Sequence, residues 1–192
     1  MQSGCLKLIK SKKPAIELHM ETLSETSKAS VQTDLFITMA LSAWNAQNSR
    51  ITKLLDTLSE DQFLEETAPG RNRGTYLIGH LIAVSDGLLP LFALGQRLYP
   101  QFEKMFLTSP DRSVHETPSI SELKKCWHEV NTTLTNHFSK MKIEDWFSRH
   151  TAVSPEDFEK EPHRNKLNVL INRTSHTSYH LGQLVYLIKK QG

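Results

Sequence analysis

Arg173-Thr174-Ser175-His176-Thr177-Ser178-Tyr179-His180-Leu181-Gly182-Gln183 is the stretch on which the reading of this chain turns. At roughly 100° per residue, the i, i+4 pair His176 and His180 leaves a helix on one face about a turn apart, the spacing at which two imidazoles grip a single metal ion. The flanks supply the helix. Leu167, Leu170, Ile171, Thr174, Leu181, Leu184, Val185 and Ile188 form a core stripe over about residues 165–189, and Lys189-Lys190 suit its negative C-terminal end. By the same geometry both imidazoles stand roughly 100° from the centre of that stripe, beside Val169 and Leu187. The plainer alternative is a pair of half-buried histidines satisfied by backbone or water.

A third histidine bears on the choice. His80, in Gly79-His80-Leu81-Ile82, occupies the same kind of shoulder on a helix expected over about residues 75–95, whose stripe is Leu77, Leu81, Val84, Leu88 and Leu91. Pro90 lacks a backbone donor and predicts a kink there. Two better-known metal patterns are excluded by inspection. Position 177 is Thr and no His-Glu-x-x-His occurs, which removes the helical zinc protease motif; no histidine has Glu three residues before it, which removes the ferritin-like di-iron pattern. A single-metal site with neutral imidazole ligands survives.

Two more long helices complete the outline. The first is expected over residues 34–58, with Leu35, Met39, Ala43, Ala46 and Leu54 as its stripe, followed by the capping box Ser59-Glu60-Asp61-Gln62 and a break at Pro69-Gly70. The other opens with the capping box Ser119-Ile120-Ser121-Glu122 and carries Leu123, Trp127, Val130, Leu134, Phe138 and Met141 at spacings of three and four. Residues 98–118 contain three prolines and no periodic pattern, and residues 142–164 read as loop with a short turn of helix. No useful length shows strand alternation. The expected fold is all-α, a four-helix bundle with a long crossover between its second and third helices.

Length and composition set outer bounds. The 192 residues suit one domain, read as residues 33–192, after a mostly disordered N-terminal extension over residues 1–32 in which Met20 is a candidate true start. No run approaches 18 consecutive apolar residues, so no membrane span is expected. Cys5 and Cys126 lie far apart without a C-x-x-C pair, which argues against a disulfide framework and for a reducing compartment, the cytoplasm. Residues 1–19 hold four lysines against one glutamate, a charge of +3, so the remainder of a chain at +2 carries −1. A faintly acidic body without a basic, aromatic-interleaved motif argues against nucleic acid as a partner.

The motifs together resemble the DinB/YfiT-like family of metal-binding four-helix bundles, marked by one His in the second helix and His-x-x-x-His-x-Gly-Gln in the last. Gly79-His80-Leu81 and His176 through Gln183 carry the likeness, with Trp44-Asn45 and Leu58-Ser59-Glu60 in support, and it spans residues 34–190. The resemblance implies a divalent metal, Zn or Ni, on His80, His176 and His180, with positions open for water or a small-molecule substrate. It implies either thiol transfer, with a low-molecular-weight thiol such as bacillithiol as co-substrate, or hydrolysis. No Glu beside the histidine pair is available as a proton acceptor, which favours thiolate chemistry. Gln183, Tyr179 and Asn45 are candidate supporting or pocket residues, whereas His115, His128, His137, His150 and His163 have no paired spacing and are expected at the surface. Trp44, Trp127 and Trp146 are expected in the core or at an interface. The rival reading is a non-catalytic metal-binding or dimerising bundle, with Leu41, Leu89 and Leu187 as candidates for a homodimer interface.

Overall fold

A computed structural model of the chain describes residues 15–114 and 116–188. Among them there is no β-strand, only two isolated bridges, Glu66 with Arg73 and Arg149 with Asn165. Four long helices carry the fold: α1 (Ala15–Thr57), α3 (Gly74–Asp86), α6 (Ile120–Phe138) and α9 (Lys166–Leu184). Short helices fill the connections: α2 (Glu60–Leu64), α4 (Leu88–Leu91), α5 (Gln101–Glu103), α7 (Ile143–Phe147) and α8 (Pro155–Lys160). The chain divides into two units, one ending at Phe36 and the other beginning at Ile37, and the core and the histidines belong to the second.

The disordered extension expected to residue 32 is helical from Ala15, because no Gly or Pro interrupts residues 15–57. Residues 1–14, with Cys5, and His115 lie outside the described residues. Of the stripe expected on α1 only Leu54 is buried: Leu35 and Met39 are 57% and 60% exposed, Ala43 and Ala46 are exposed, and the buried line is Ile37, Trp44, Ile51, Leu54, Leu55 and Leu58. Bulk decides this phase: burying Trp44, Ile51 and Leu55 removes more apolar area from water than burying the alanines would.

α3 is apolar nearly all round and packs against both α6 and α9. Residues Gly74–Leu91 are long and apolar enough to cross a membrane by length and composition, at a mean hydropathy of 1.2, and most of this segment is buried inside the protein. The helix expected to run to Gly95 instead ends at Asp86, four residues before Pro90, whose missing N–H is the one that would serve the Asp86 carbonyl. Asp86 is itself fully buried, and its carboxylate accepts from the backbone N–H groups of Leu98 (2.8 Å) and Tyr99 (3.0 Å). It thereby ties the start of the crossover to the end of α3. Asp86→Ala leaves both donors without this acceptor, and we expect a loss of about 2 kcal/mol, read as a lower urea midpoint at unchanged slope.

The crossover, in which no periodicity was expected, contains α5 running into a π-helical turn at Lys104–Thr108. That turn buries Phe106 beside Phe102 and Tyr76. α6 follows its expected pattern, with Leu123, Trp127, Val130, Leu134 and Phe138 buried and the Ser119–Glu122 capping box formed. All three tryptophans are core residues, each 1% exposed. Leu89 and Leu187, candidates for an interface, are equally part of this chain's own core. α9 stops at Leu184 and tightens into a 3₁₀ turn, Val185–Leu187, with Val185 and Ile188 exposed. Its inward face is Leu167, Leu170, Thr177, His180 and Leu184, rotated from the expected stripe towards the histidines.

Candidate metal centre

His80 on α3 and His176 and His180 on α9 meet where the two helices pack. The three ligand atoms lie within 4.8 Å of one another. His176 Nε2 is 3.3 Å from His80 Nε2 and 3.0 Å from His180 Nε2. Zinc–imidazole bonds of about 2.0–2.1 Å place ligand nitrogens roughly 2.9 Å apart at right angles and roughly 3.3 Å apart at tetrahedral ones. The observed separations fall in that range. His180 is buried, at 9% exposure, further inward than the shoulder position expected for it.

The outer nitrogens fix the tautomers of two of the rings. His80 Nδ1 donates to the carbonyl of Phe106 (2.9 Å), and His180 Nδ1 donates to Gln183 Oε1 (2.7 Å), whose amide Nε2 in turn donates to the Tyr179 hydroxyl at 3.3 Å. Both acceptors hold the proton on Nδ1, so both Nε2 lone pairs point inward. His176 Nε2 therefore faces two lone pairs at once, and a single N–H cannot satisfy both. A cation suits three converging lone pairs, and hydrogen bonds to the outer nitrogens are the usual support for imidazole ligands. His176 Nδ1 is buried without a partner among the described residues.

Electrostatics keep the rings neutral. Burial lowers the pKa of all three; for His176 the charges of His180, His80 and Arg173 add to burial and bring it down to about 4. Neutral imidazole is the metal-binding form. The sign for metal-free protein follows. In the unfolded chain His176 takes up a proton near its ordinary value of 6.5, in the fold only near 4, so stability is complete above 6.5 and is lost as the pH falls towards 4. Removing the imidazole in His176→Ala should flatten that part of the pH–stability curve, measured by urea unfolding of chelated protein from pH 7 to 4.

A pocket of about 280 Å³ adjoins His180, walled by Tyr179 and Gln183 of α9, by Leu77 of α3 and by Thr67, Arg71 and Asn72 of the α2–α3 loop. That loop turns at Gly70 (φ +72°), as Pro69-Gly70 predicted, and is braced by Arg73 on Asp111 (2.6 Å) and Arg112 on Glu66 (2.9 Å). No carboxylate lines the pocket. Tyr179 is 64% exposed at its rim. Asn45 is elsewhere, in an open polar groove of about 500 Å³ between α1 and α6 that it shares with Asn48 and Asn131. Among the unpaired histidines His128 and His163 are exposed, whereas His137 and His150 are half-buried.

Three residues have roles at the centre that the histidine spacing does not give: Phe106 through its carbonyl, Gly79 through its missing Cβ, and Arg173 through its charge. Gly79 carried a signal, since a glycine inside an apolar helix marks a close approach, and a Cβ there would collide with the Phe106 ring. Its partner carried none.

The sequence matches the family model of the DinB superfamily over residues 43–184. This chain belongs to the DinB superfamily. Its helices also match the crystal structure of a conserved protein from Enterococcus faecalis, with a TM-score of 0.55 and 16% identity, over 78% of this chain and 93% of that one. At that identity the likeness speaks for the fold alone, and no curated protein matches the sequence. The DinB-like fold expected from the histidine motifs is thus shown, and its three-histidine cluster is one that can hold a metal ion.

Proposed function

We propose that this DinB-superfamily protein is a metal-dependent enzyme that transfers a low-molecular-weight thiol to a small electrophile, with His80, His176 and His180 holding one divalent ion, Zn or Ni. The observation that carries the reading is the convergence of three Nε2 atoms, two with tautomers set by Phe106 and Gln183, beside a pocket of small-molecule size. When bound, such an ion supplies Lewis acidity, lowering the pKa of a coordinated thiol or water towards neutrality. Three protein ligands leave positions open for that purpose.

The remaining work falls to the chain's own groups. Phe106 and Gln183 orient the imidazoles; Leu77 provides an apolar wall; Thr67, Asn72 and the Tyr179 hydroxyl offer hydrogen bonds to a substrate at the mouth. A pocket without a carboxylate lacks the proton acceptor that hydrolysis of an activated water would use, and this favours a thiol over water as nucleophile. A reduced thiol as co-substrate, with two cysteines far apart in sequence and no C-x-x-C pair, supports a reducing compartment, the cytoplasm, for the reaction.

The test is consumption of a bacillithiol-type thiol and an alkyl or epoxide electrophile by zinc- or nickel-loaded protein. Thiol-dependent turnover that chelator abolishes and metal restores is the expected result. Ester hydrolysis without thiol would move the assignment to a hydrolase. Neither activity with the metal fully loaded would leave a non-catalytic metal-binding bundle.

A further inference from the structure

Arg173 lies on α9 one turn before His176 and on the same face as His176, His180 and Gln183. It is half-buried, its Nε is fully buried without a hydrogen-bond partner, and its guanidinium makes no ion pair among the described residues. Its charge reaches both His80 and His176. Leu77 of α3 shares a pocket with His180 and Gln183, and His80 Nε2 is 3.3 Å from His176 Nε2. One turn after His80, the Ala83 carbonyl accepts from Arg97 (2.8 Å), whose charge acts on Arg173.

Two guanidinium groups thus share this corner, and the two carboxylates beside Arg97 are committed. Glu103 pairs with Arg97 at 3.3 Å, and Asp86 is occupied by the N–H groups of Leu98 and Tyr99. A cation held half out of water, beside another cation and without a counter-ion, is costly to the fold, and an anion supplied from outside offsets that cost. A divalent ion on the neighbouring imidazoles would add two further positive charges and no negative one.

We propose that Arg173 is a specificity-determining residue that receives a carboxylate or phosphate group of the molecule bound at the three-histidine centre, so that the substrate or its thiol partner is anionic. This deepens the proposed thiol-transfer reading and rests on it for the identity of the reaction, but not for the binding of the anion itself.

The test uses inorganic phosphate as probe on chelated full-length protein at constant ionic strength, following arginine Nε–H resonances by NMR, with the Arg173 signal assigned by its absence from Arg173→Gln. Expected is a saturable shift of the Arg173 Nε–H at millimolar phosphate. The apparent affinity, read for parent and variants alike from the ³¹P line of the phosphate, should fall at least tenfold in Arg173→Gln and be largely kept in Arg173→Lys. An unmoved Arg173 signal, or a response in Arg173→Gln equal to that of the parent, overturns the proposal. Should Arg173→Gln fail to fold, the parent titration and Arg173→Lys still decide it. Metal content of parent and variant, read separately by elemental analysis, keeps failure of the metal centre distinct from failure of the anion site. In the turnover assay, esterifying the acidic group of the electrophile or of the thiol identifies its bearer: with the correct partner esterified, parent and Arg173→Gln show the same KM. A KM difference of unchanged size with either partner esterified removes the substrate role.

Discussion

His176→Ala protein, purified and dialysed without chelator, should retain less than a tenth of an equivalent of metal where the parent retains about one. His176 is the middle ligand: its Nε2 is 3.3 Å from that of His80 and 3.0 Å from that of His180. Apparent zinc affinities of about 10–16 kcal/mol for four-ligand sites amount to roughly 3–4 kcal/mol per ligand, so losing one ligand of three weakens binding by a factor on the order of 10²–10³. Thermal unfolding provides a second readout. Because bound metal stabilises only the folded chain, chelator should lower the Tm of the parent and leave that of the variant where it is. The variant should still fold, since Leu170, Thr177 and Leu184 hold α9 in the core without the imidazole. A variant that keeps one metal per chain would refute the three-histidine centre.

Gly79→Ala should damage both the core and the centre, although on helix propensity alone it would stabilise α3 by about 1 kcal/mol. The added methyl meets the Phe106 ring, which is itself buried against Tyr76 and Phe102. Overpacking a site that cannot yield costs about 3 kcal/mol or somewhat more, so we expect a net loss of roughly 2–3 kcal/mol in urea unfolding. The second consequence follows from the chain itself. The residue whose ring must shift is the one whose carbonyl holds His80 Nδ1, and loss of such a support lowers metal affinity about 10- to 100-fold. Competition with a chromophoric chelator measures that loss directly. Stability lowered with unchanged metal affinity would show that the Phe106 carbonyl does not position His80.

Parts of the molecule with local causes were legible in the residues. The Ser59 and Ser119 capping boxes form as read, since each needs only a side chain and a backbone N–H three residues away. α6 keeps its stripe, because its apolar residues are large and evenly spaced. On α1 the expected stripe holds only at Leu54, because alanines count equally with Trp44 in a spacing pattern but not in buried area. The crossover was opaque. Its π-helical turn at Lys104–Thr108 has no periodic signature, and what orders it is burial of Phe106 against a glycine 27 positions earlier.

The same division runs through the centre. His176, His180 and Gln183 share one helix, and their spacing alone puts them on one face; His80 entered through a motif on a second helix. That these three imidazoles meet, with two tautomers set and Arg173 left without a counter-ion beside them, was decided by the packing of α3 against α9 and of the crossover against α3. Short-range order follows from neighbours in the chain and is written there. The direction of a lone pair and the absence of a counter-charge belong to surroundings that exist only once distant segments have been brought together.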